Sequence, residues 1–389
     1  MGDKMLKNKI LTIAILILLI TLNTTVLSNN ISNQQKIIFV DDDGGVDYTK
    51  IQDAIENTSN NDIIIVYNGT YKENIVIDKS LKIIGENSFN TIIDGQNKSN
   101  TIDIKSDNVE ITRFKIINSS KNKWYNAGIR ITSSNNWIHD NIIEKNNLGL
   151  FIKQSTNNTI NDNKLYGDGI ILSHYQEEIF IPYNEKYFKQ NIFNNTVNDK
   201  KIIYWTNQKN KNTPEDAGQI ILLNCKNVIV KNTNLSNADF GCILINSSKC
   251  KIENCDISNS DGMIWLIHST KNKIQHNQIT NNLQGVVLDC ESKSNIVFQN
   301  KIINNEKLGI IIEDKSNFNK VIKNIFIGNH KNSTNFQAYF KYSLGNKWFN
   351  NYWIKPRILP MIIIGDRSME NERKFTFNID FLPSKLSIN

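Results

Sequence analysis

Proline and cysteine are both scarce in this chain of 389 residues, which contains five of each. The cysteines form an odd-numbered set without any Cys-x-x-Cys spacing: Cys225, Cys242, Cys250, Cys255 and Cys290. This pattern argues against a zinc site and against a disulfide framework, because both depend on paired cysteines at suitable spacings. At least one thiol is therefore expected to be free.

A concentrated basic surface is also missing, although the net charge is +7. The lysines are interleaved with acids, and the sequence has no basic run or basic helix face of the kind that a nucleic-acid groove requires. We therefore predict a solvated surface and no nucleic-acid partner.

The first 28 residues have the pattern of a targeting segment. Lys4, Lys7 and Lys9 precede an apolar run over 10–22, and small residues follow it. The run is short for a membrane span, so residues 1–28 are predicted to be a signal peptide, with an uncleaved membrane anchor as the alternative. In both cases we expect a secreted or cell-surface protein that meets the membrane only through this segment.

A repeat governs the rest of the chain, in which asparagine reaches about one residue in six. Stretches that begin at positions 135, 225, 249, 271 and 293 align with one another. In each, apolar residues alternate with polar ones at a spacing of two, which is typical of strands and excludes a helical repeat. The sequence thus predicts an all-β fold over 36–350, a right-handed parallel β-helix with three strands per coil of about two dozen residues.

Stacking such coils aligns equivalent residues into columns that form one continuous core. One inward column is predicted to contain Ile138, Ile160, Val230, Ile252, Ile274, Val297 and Val321. A second is predicted to contain Ile131, Ile152, Leu172, Leu244, Trp265, Leu288 and Ile312. A ladder of stacked amides is predicted for Asn141, Asn163, Asn277, Asn300 and Asn324. Tight turns with positive φ are predicted at Gly128, Gly149, Gly241, Gly262, Gly285 and Gly309.

A short helix is predicted to cap the first coil, because Ile51, Ala54 and Ile55 lie on one face. The segment DDDGGVDYTKIQDAI over 41–55, with the strands after it, resembles the beginning of pectin-lyase-like β-helices. The similarity is greatest to the NosD-like subgroup of secreted archaeal and bacterial proteins, and it extends through 194–225 and 345–367. The resemblance implies the fold but no single activity, since that beginning is shared by lyases, hydrolases, esterases, epimerases and proteins without a known reaction.

An insertion over 174–217 interrupts the repeat. It carries the candidate carbohydrate-binding residues Tyr175, Glu177, Glu178, Tyr183, Tyr187, Tyr204 and Trp205. Aromatic rings can stack on sugar rings, and carboxylates can bind hydroxyl groups. The alternative is a loop that packs on itself around a small core.

Several later strands are apolar on both faces, which calls for a cover. The alternation predicts that Ile243, Ile264, Val287 and Ile311 point outward. The tail, from about Trp348 to Pro383, is predicted to lie across them, so that 351–389 would form a C-terminal cap packed on the β-helix.

The candidate catalytic residues are acids. Asp289 and Glu313 fall at adjacent outward positions, with Glu291 and Asp314 nearby, so these four could hold calcium or act on a glycosidic bond. The family's glycosidase, lyase and epimerase motifs are not found residue by residue.

The NosD resemblance also implies copper delivery, which requires clustered soft ligands. The five histidines are dispersed, and Cys242, Met263 and Cys290 are assigned to the core. Neither a metal site nor a cofactor is therefore predicted.

We predict a non-catalytic, secreted or cell-surface β-helix that binds polysaccharide or envelope glycan, or that assembles with envelope proteins. Two alternatives stay open: a lyase or hydrolase that acts on acidic polysaccharide, and a periplasmic copper-binding accessory protein of the NosD type.

Overall fold

The structure, a computed structural model, describes residues 35–175, 183–259, 263–330, 337–353, 361–366 and 375–380. The predicted targeting segment over 1–28 lies outside these ranges. The described part consists mainly of short strands, with an α-helix of six residues and a short 3-10 helix. None of the described helices has the length and apolar character needed to cross a membrane.

The first group of coils, here called the first stack, ends at residue 197. Its elements are β1 Ile37–Val40, α1 Ile51–Glu56, β2 Ile63–Val66, β3 Gly69–Tyr71, β4 Ile75–Ile77, β5 Lys82–Gly85, β6 Thr91–Asp94, β7 Ile102–Ile104, β8 Glu110–Thr112, β9 Lys115–Ile117, β10 Ile129–Ile131, β11 Trp137–His139, β12 Ile142–Glu144, β13 Leu150–Lys153, β14 Thr159–Asn161, β15 Lys164–Tyr166, β16 Ile170–Ser173, a 3-10 helix Glu185–Phe188, β17 Asn191–Phe193 and β18 Thr196–Val197. They form three parallel sheets, in the orders β1-β2-β5-β8-β11-β14-β17, β3-β6-β9-β12-β15-β18 and β4-β7-β10-β13-β16.

The remaining strands build a second stack. They are β19 Lys200–Thr206, β20 Ala217–Leu223, β21 Ile229–Lys231, β22 Cys242–Ile245, β23 Lys251–Glu253, β24 Asp256–Ser258, β25 Ile264–Ile267, β26 Lys273–Gln275, β27 Gln278–Thr280, β28 Gln284–Asp289, β29 Ile296–Phe298, β30 Lys301–Ile303, β31 Leu308–Ile312, β32 Lys320–Ile322, β33 Ile325–Ile327, β34 Ala338–Lys341, β35 Lys347–Phe349, β36 Tyr352–Trp353, β37 Met361–Asp366 and β38 Phe375–Asp380. Parallel pairing again gives three sheets, represented by β22-β25-β28-β31-β34, β23-β26-β29-β32-β35 and β24-β27-β30-β33-β36. The predicted fold class, an all-β right-handed parallel β-helix, is confirmed, with about 13 turns.

The strand direction reverses between the stacks. β18 pairs antiparallel with β19, whereas β19 pairs parallel with β20. Asn198 and Asp199 join β18 to β19 with φ values of 50° and 62°. Two consecutive left-handed residues form the tight hairpin turn that matches the twist of the flanking strands. The predicted insertion therefore contains the point at which one stack ends and the other begins.

Contacts between the stacks run in opposite sequence order. The side-chain amide of Gln219 on β20 makes two hydrogen bonds of 3.0 Å to backbone groups of β16. Further along the second stack, Asp239 accepts a hydrogen bond of 2.7 Å from the amide of Gly149, and Lys341 lines the same cavity as Trp124. Later residues of the second stack thus meet earlier residues of the first, so the second stack folds back along the first.

The predicted inward columns are present but divided between the two stacks. All residues of the first column are almost fully buried, and strand pairing aligns Ile138 with Ile160 and, separately, Val230 with Ile252. The core is correspondingly divided into two clusters, one of which fills the interior of the second stack. The expectation of one continuous core was wrong because the chain doubles back.

One position of the second column was also assigned to the wrong face. Leu266, not Trp265, pairs with Leu244 and Leu288, so Trp265 belongs to the outward row with Ile243. Ile264, predicted to be outward, instead lies in the interior cluster of the second stack. The prediction counted positions from the repeated glycine of each coil. It was wrong here because the coil that contains β25 has one more residue between that glycine and its strand than the preceding coil has. A shift of one residue moves a side chain to the opposite face of a strand.

The two-sided apolar strands are covered by the first stack. Ile243, Trp265 and Val287 belong to one buried cluster with Phe151 and Ile171, which lie on the outward face of the first stack. The described part of the tail takes another position, because β37 pairs with β34 and β38 pairs with β35. For these residues the prediction of a covering tail is wrong, since they extend the second stack by a further rung.

Asparagine ladders connect the coils as predicted. The side-chain oxygen of Asn163 accepts from the backbone and side-chain nitrogens of Asn141, and Asn300 and Asn324 repeat the arrangement. At the end of the second ladder, Asp380 accepts from both nitrogens of Asn351. These bonds satisfy buried polar groups that would otherwise destabilise the interior.

The repeated glycines are needed for close packing and not for positive φ. The described members of the predicted set have ordinary φ values. At Gly285, however, an added Cβ would lie 2.2 Å from the carbonyl oxygen of Gly309. A side chain at this position would therefore separate successive coils.

The predicted cap closes the first coil. Ile51, Ala54 and Ile55 of α1 are fully buried. The carboxylate of Glu73 accepts from the amides of Ile51 and Gln52, each at 2.9 Å, and satisfies two amides of the first helical turn.

All five cysteines are free and buried, which agrees with the expected absence of a disulfide framework.

Candidate functional site

A cavity of about 560 Å³ lies between the two stacks. The first stack and the residues that follow β16 contribute Trp124, Asn147, Leu148 and Tyr175. The second stack contributes Phe240, Met263, Trp265, Leu283, Gln284, Val287, Asp289, Lys307, Glu313, Asp314, Lys341 and Tyr342. The cavity therefore combines aromatic surface, three carboxyl groups and two ammonium groups.

The register of the second stack aligns two of these acids. Asp289 pairs with Ile267 of the preceding coil, at an outward position that is apolar in the earlier strands. Continuing the pairing between β28, β31 and β34 aligns Asp289 with Glu313, and Glu313 with Lys341. One column of the sheet thus changes from apolar to charged side chains where it reaches the cavity.

Asp314 follows this column in a turn with left-handed backbone geometry. Its φ is 49°, and Cys290 at the equivalent place of the preceding coil has φ 51°. The same left-handed conformation recurs in the turns of most coils, so it belongs to the repeat. The turn places a third carboxyl group beside Asp289.

Tyr175 links two of the acids. Its hydroxyl group lies 2.5 Å from Oδ2 of Asp289 and 3.2 Å from Oδ2 of Asp314. The indole nitrogen of Trp265 donates to the same Asp289 oxygen at 3.2 Å. The other oxygen of Asp289, Oδ1, is buried and has no hydrogen-bond partner among the described residues.

Burial gives these acids unusual protonation behaviour. Loss of solvation is the main cause that raises the pKa of Asp289 to about 7, and the charge of Asp314 adds to it. Loss of solvation, together with the charges of Asp289 and Asp314, raises the pKa of Glu313 to about 8. The pKa of Asp314 is raised as well, again mainly by burial. Near neutral pH this group of acids therefore retains protons.

Aromatic side chains form one wall of the cavity. The ring of Trp265 lies parallel to that of Tyr175, with centroids 6.5 Å apart, and stacks on Phe240 at 5.5 Å. Trp124, which is 42% exposed, packs edge-on against Phe151 at the rim. Flat aromatic surface next to polar groups is typical of sites that bind sugars.

A second cavity, of about 570 Å³, adjoins the first and shares Leu283 with it. Its lining is polar, and both stacks contribute to it: Lys121, Asn146, Gly167, Asn259, Asn281, Asn282, Asn304, Asn305, Glu306 and Gly328. The two cavities therefore lie side by side between the stacks, and we call the pair the groove.

A buried contact lies beside the acids. The sulfur of Cys290 is 3.3 Å from Nε2 of His174, and Tyr183 stacks on His268 with ring centroids 4.3 Å apart. Burial lowers the pKa of His174 to about 4 and raises the pKa of the Cys290 thiol. Both groups of the contact are therefore neutral at physiological pH, as is typical of core packing.

Three of the four candidate catalytic acids meet in the cavity, and the fourth does not. Glu291 binds Lys293 at 2.8 Å, and its side chain is 40% exposed. This hydrogen bond is the main cause that lowers its pKa. Glu291 therefore acts as a surface acid.

Of the candidate carbohydrate-binding residues, Tyr175 lines the cavity. Tyr183 packs against His268 and Phe188, and the hydroxyl of Tyr204 donates to the backbone of Phe188 at 2.6 Å. Tyr187 and Trp205 lie under lysine side chains, those of Lys186 and Lys211 respectively. Glu177 and Glu178 lie outside the described residues. The described part of the insertion thus does not pack on itself as a separate loop: it continues the strands of both stacks, and Tyr175 and Tyr183 contact residues of the second stack.

The sequence reasoning missed Trp124, Phe240, Lys341 and Tyr342, and it placed Trp265 in the core. The sequence pattern does not connect these residues, because they come from different coils and share no repeat position. An aromatic residue in place of isoleucine on an outward row, as at Trp265, is the signal that could have been used.

In the described part of the chain, one group of three acidic side chains lies close enough together to bind a single metal ion. It consists of Asp41, Asp42 and Asp43. The acids of the cavity are not among them. One carboxylate of this group already accepts from a backbone amide, since Asp42 binds Thr70 at 2.9 Å.

Known proteins resemble parts of this chain. A protein 38% identical over 96 residues is named a cell surface glycoprotein of Methanothermus fervidus, and the match covers 24% of this chain and 16% of that protein. Among solved structures, an alginate lyase of the PL6 type in complex with a trisaccharide aligns over 90% of this chain and 93% of its own, with 12% identity and a TM-score of 0.36. A periplasmic alginate epimerase, AlgG, aligns over 78% of both chains, with 15% identity and a TM-score of 0.30.

A family match falls on the second stack. Residues 210–366, which supply most of the cavity lining, match the family described as periplasmic copper-binding protein (NosD). The predicted resemblance to NosD-like proteins is therefore confirmed for that part of the chain.

Proposed function

We propose that this protein is an extracytoplasmic surface β-helix that binds a saccharide in the cavity between its two stacks. The observation that carries the proposal is that Trp124, 42% exposed at the rim of the cavity, presents aromatic surface beside carboxyl, amide and ammonium groups, while the nearly buried Trp265 and Phe240 line the cavity. Sugars need both kinds of surface, because their ring faces pack on aromatic rings while their hydroxyl groups require donors and acceptors. The names of the relatives, a cell surface glycoprotein and a periplasmic family, support the location.

The dimensions fit an oligosaccharide. A volume of about 560 Å³ lies within the range of about 300–1,000 Å³ typical of small-molecule sites. The adjoining polar cavity lies next to the first, and the amides of its exposed asparagines, Asn259, Asn281 and Asn304, can both donate to and accept from hydroxyl groups. In this proposal one sugar unit packs on the exposed ring of Trp124, and its neighbours extend along the groove.

Hydrolysis of a glycosidic bond is a second candidate, favoured by the pairing of Asp289 with Asp314. One Tyr175 hydroxyl binds both, so their carboxyl groups are neighbours. Glycosidases use two carboxyl groups, one protonated and the other ionised. Burial raises the pKa of Asp289 to about 7, which suits a proton donor, and Asp314 would serve as the base or nucleophile.

Copper binding, named in the description of the matching family, is less well supported by the residues. The soft pair Cys290 and His174 is the relevant observation. A thiol must lose its proton to bind a metal, and burial raises the pKa of Cys290. Tight stoichiometric uptake of Cu(I), lost on the substitution Cys290→Ser, would favour this function over saccharide binding.

Binding is tested with a matched pair of tryptophans. Trp124 at the rim of the cavity is 42% exposed, and Trp137 on another sheet is 43% exposed. A glycan array identifies ligands, and calorimetry then compares the wild type with the substitutions Trp124→Ala and Trp137→Ala. Loss of one stacked ring, about 1.4 kcal/mol, predicts a roughly tenfold weaker Kd for Trp124→Ala only.

Two results would contradict the proposal. One is that no glycan binds the wild-type protein. The other is that Trp124→Ala and Trp137→Ala weaken binding equally. Release of new reducing ends from a bound glycan, abolished by Asp289→Asn while binding persists, would establish the hydrolase instead.

A further inference from the structure

The charge balance of the cavity points to a ligand of particular chemistry. Its lining carries three carboxyl groups, Asp289, Glu313 and Asp314, but only the ammonium groups of Lys307 and Lys341 as cations among the described residues. The charge of Lys341, which lies 5.0 Å above the centre of the Tyr342 ring, acts on both Glu313 and Asp314, so these two acids share one cation. The acids are thus crowded together without a full set of positive partners.

Hydrogen bonding within the cavity is also incomplete. Asp289 is 1% exposed, and its Oδ1 has no partner among the described residues. Among the described side chains, none donates a hydrogen bond to the carboxyl group of Glu313. None of them forms an ion pair with it within 4.0 Å. A buried carboxyl oxygen without a donor is costly to maintain. Such an oxygen can accept a hydrogen bond from a donor group of a bound ligand.

The aromatic wall favours a donor that carries positive charge. Trp265 is stacked with both Tyr175 and Phe240 beside Asp289. The faces of aromatic rings are negative and attract cations, most strongly where water is excluded. Carboxyl groups next to aromatic faces therefore select an ammonium group over a neutral hydroxyl and disfavour a carboxylate.

We propose that the sugar bound at Asp289 is an amino sugar whose protonated amine occupies the space between Asp289, Glu313 and the Trp265 ring. This inference rests on the proposed function and assigns a substrate class to the same site. An acetylated amine has no charge and cannot neutralise the acids. A uronic acid would add a fourth carboxyl group to the three already present.

Binding of an ammonium group should displace protons from the acids. Near pH 6 the amine is protonated, while the raised pKa values of Asp289 and Glu313, about 7 and about 8, keep these two acids protonated in the free protein. The bound cation stabilises the ionised forms, so protons pass to the buffer. A neutral sugar in the same cavity would release none.

The test is calorimetry at about pH 6 in two buffers that differ in ionisation enthalpy, with three trisaccharides and free spermidine. The saccharides are chitotriose with free amines, its fully N-acetylated form and a trimer of uronic acid. We expect the free-amine trimer to bind at least tenfold more tightly than the others and to release protons. Asp289→Asn and Glu313→Gln should each remove most of this preference.

The matched control is Glu291→Gln, which changes an acid of the neighbouring turn that is bound to Lys293; it should leave the preference intact. Equal or tighter binding of the acetylated or uronic trimer would overturn the inference while the proposed saccharide binding stands. Binding of none of the three would overturn the inference, and the glycan array then decides whether the proposed saccharide binding stands. Spermidine binding as tightly as the free-amine trimer would overturn the assignment to a sugar. Should Asp289→Asn unfold the protein, the Glu313→Gln result decides.

Discussion

The hydroxyl group of Tyr175 lies 2.5 Å from a carboxyl oxygen of Asp289, although 114 positions separate the two residues in the chain. Tyr175 follows strand β16 of the first stack, and Asp289 ends strand β28 of the second. This contact joins the stacks at the cavity, so it should affect both the stability of the protein and the protonation of the acids.

Tyr175→Phe is expected to destabilise the protein by about 1–3 kcal/mol. The substitution removes the hydroxyl group that binds Asp289 and Asp314 and leaves their buried oxygens without that donor. Denaturant unfolding measures the change. Tyr187→Phe, on the same insertion, is the control and should change the free energy of unfolding by less than about 0.5 kcal/mol. Equal effects of the two substitutions would contradict a linking role for Tyr175.

The acids should make stability depend on pH in an unusual direction. Burial raises the pKa of Asp289 from 3.8 to about 7. Between those values the folded protein keeps a proton that the unfolded chain has lost, so stability falls as the pH rises. The contribution is complete below about pH 4 and is lost as the pH passes about 7.

Asp289→Asn mimics the protonated acid at every pH. Its melting temperature, compared with that of the wild type, should therefore rise steadily from about pH 4 to about pH 8. Glu291→Gln should show a smaller trend of opposite sign, confined to below about pH 5, because the hydrogen bond from Lys293 lowers the pKa of Glu291 from its ordinary value. A difference between Asp289→Asn and wild type that does not vary with pH would contradict the raised pKa.

The asparagine ladder should contribute several kcal/mol at each rung. Asn300 is 1% exposed, donates to the carbonyl of Ile274 and to Asn324, and accepts from Asn277. Asn300→Ala leaves these buried groups unsatisfied, and we expect a loss of about 3 kcal/mol or more. The exposed Asn122 is the control, and Asn122→Ala should be nearly neutral. A loss below about 1 kcal/mol at Asn300 would show that the ladder is incidental.

Asp239 should hold the two stacks together. Its carboxylate is 2% exposed and accepts from the amides of Gly149 and Gly169 at 2.7 and 2.8 Å. Asp239→Ala is expected to cost about 2–5 kcal/mol and to accelerate hydrogen exchange at these two amides. Asp216→Ala, at an exposed acid, should leave the exchange unchanged. Unaltered protection at Gly149 in Asp239→Ala would mean that the stacks are held elsewhere.

The coils could be predicted because they repeat. Residues such as Ile252, Ile274 and Val297 recur at one spacing, and parallel stacking requires them to coincide. The adjacency of Asp289 and Glu313 followed from the same periodicity. Trp265 was misplaced because a single extra residue before its strand changed the face that it occupies.

The cavity could not be predicted because it depends on a reversal that the repeat does not encode. The turn at Asn198 and Asp199 has a recognisable composition, but asparagine turns occur in nearly every coil and conceal it. Periodicity specifies which residues are neighbours within a stack. It contains nothing about the approach of Trp124 to Lys341, which come from different stacks.

The doubling back of the chain has a consequence for its biosynthesis. A ribosome that adds about 5–20 residues per second needs on the order of ten seconds to proceed from Tyr175 to Asp289. Until the strands of the second stack emerge in that interval, the outward side chains Phe151 and Ile171 of the first stack are uncovered. The nascent chain therefore presents an apolar face that the finished molecule hides, and a chaperone that shields this face until the second stack has been made would protect the protein from aggregation.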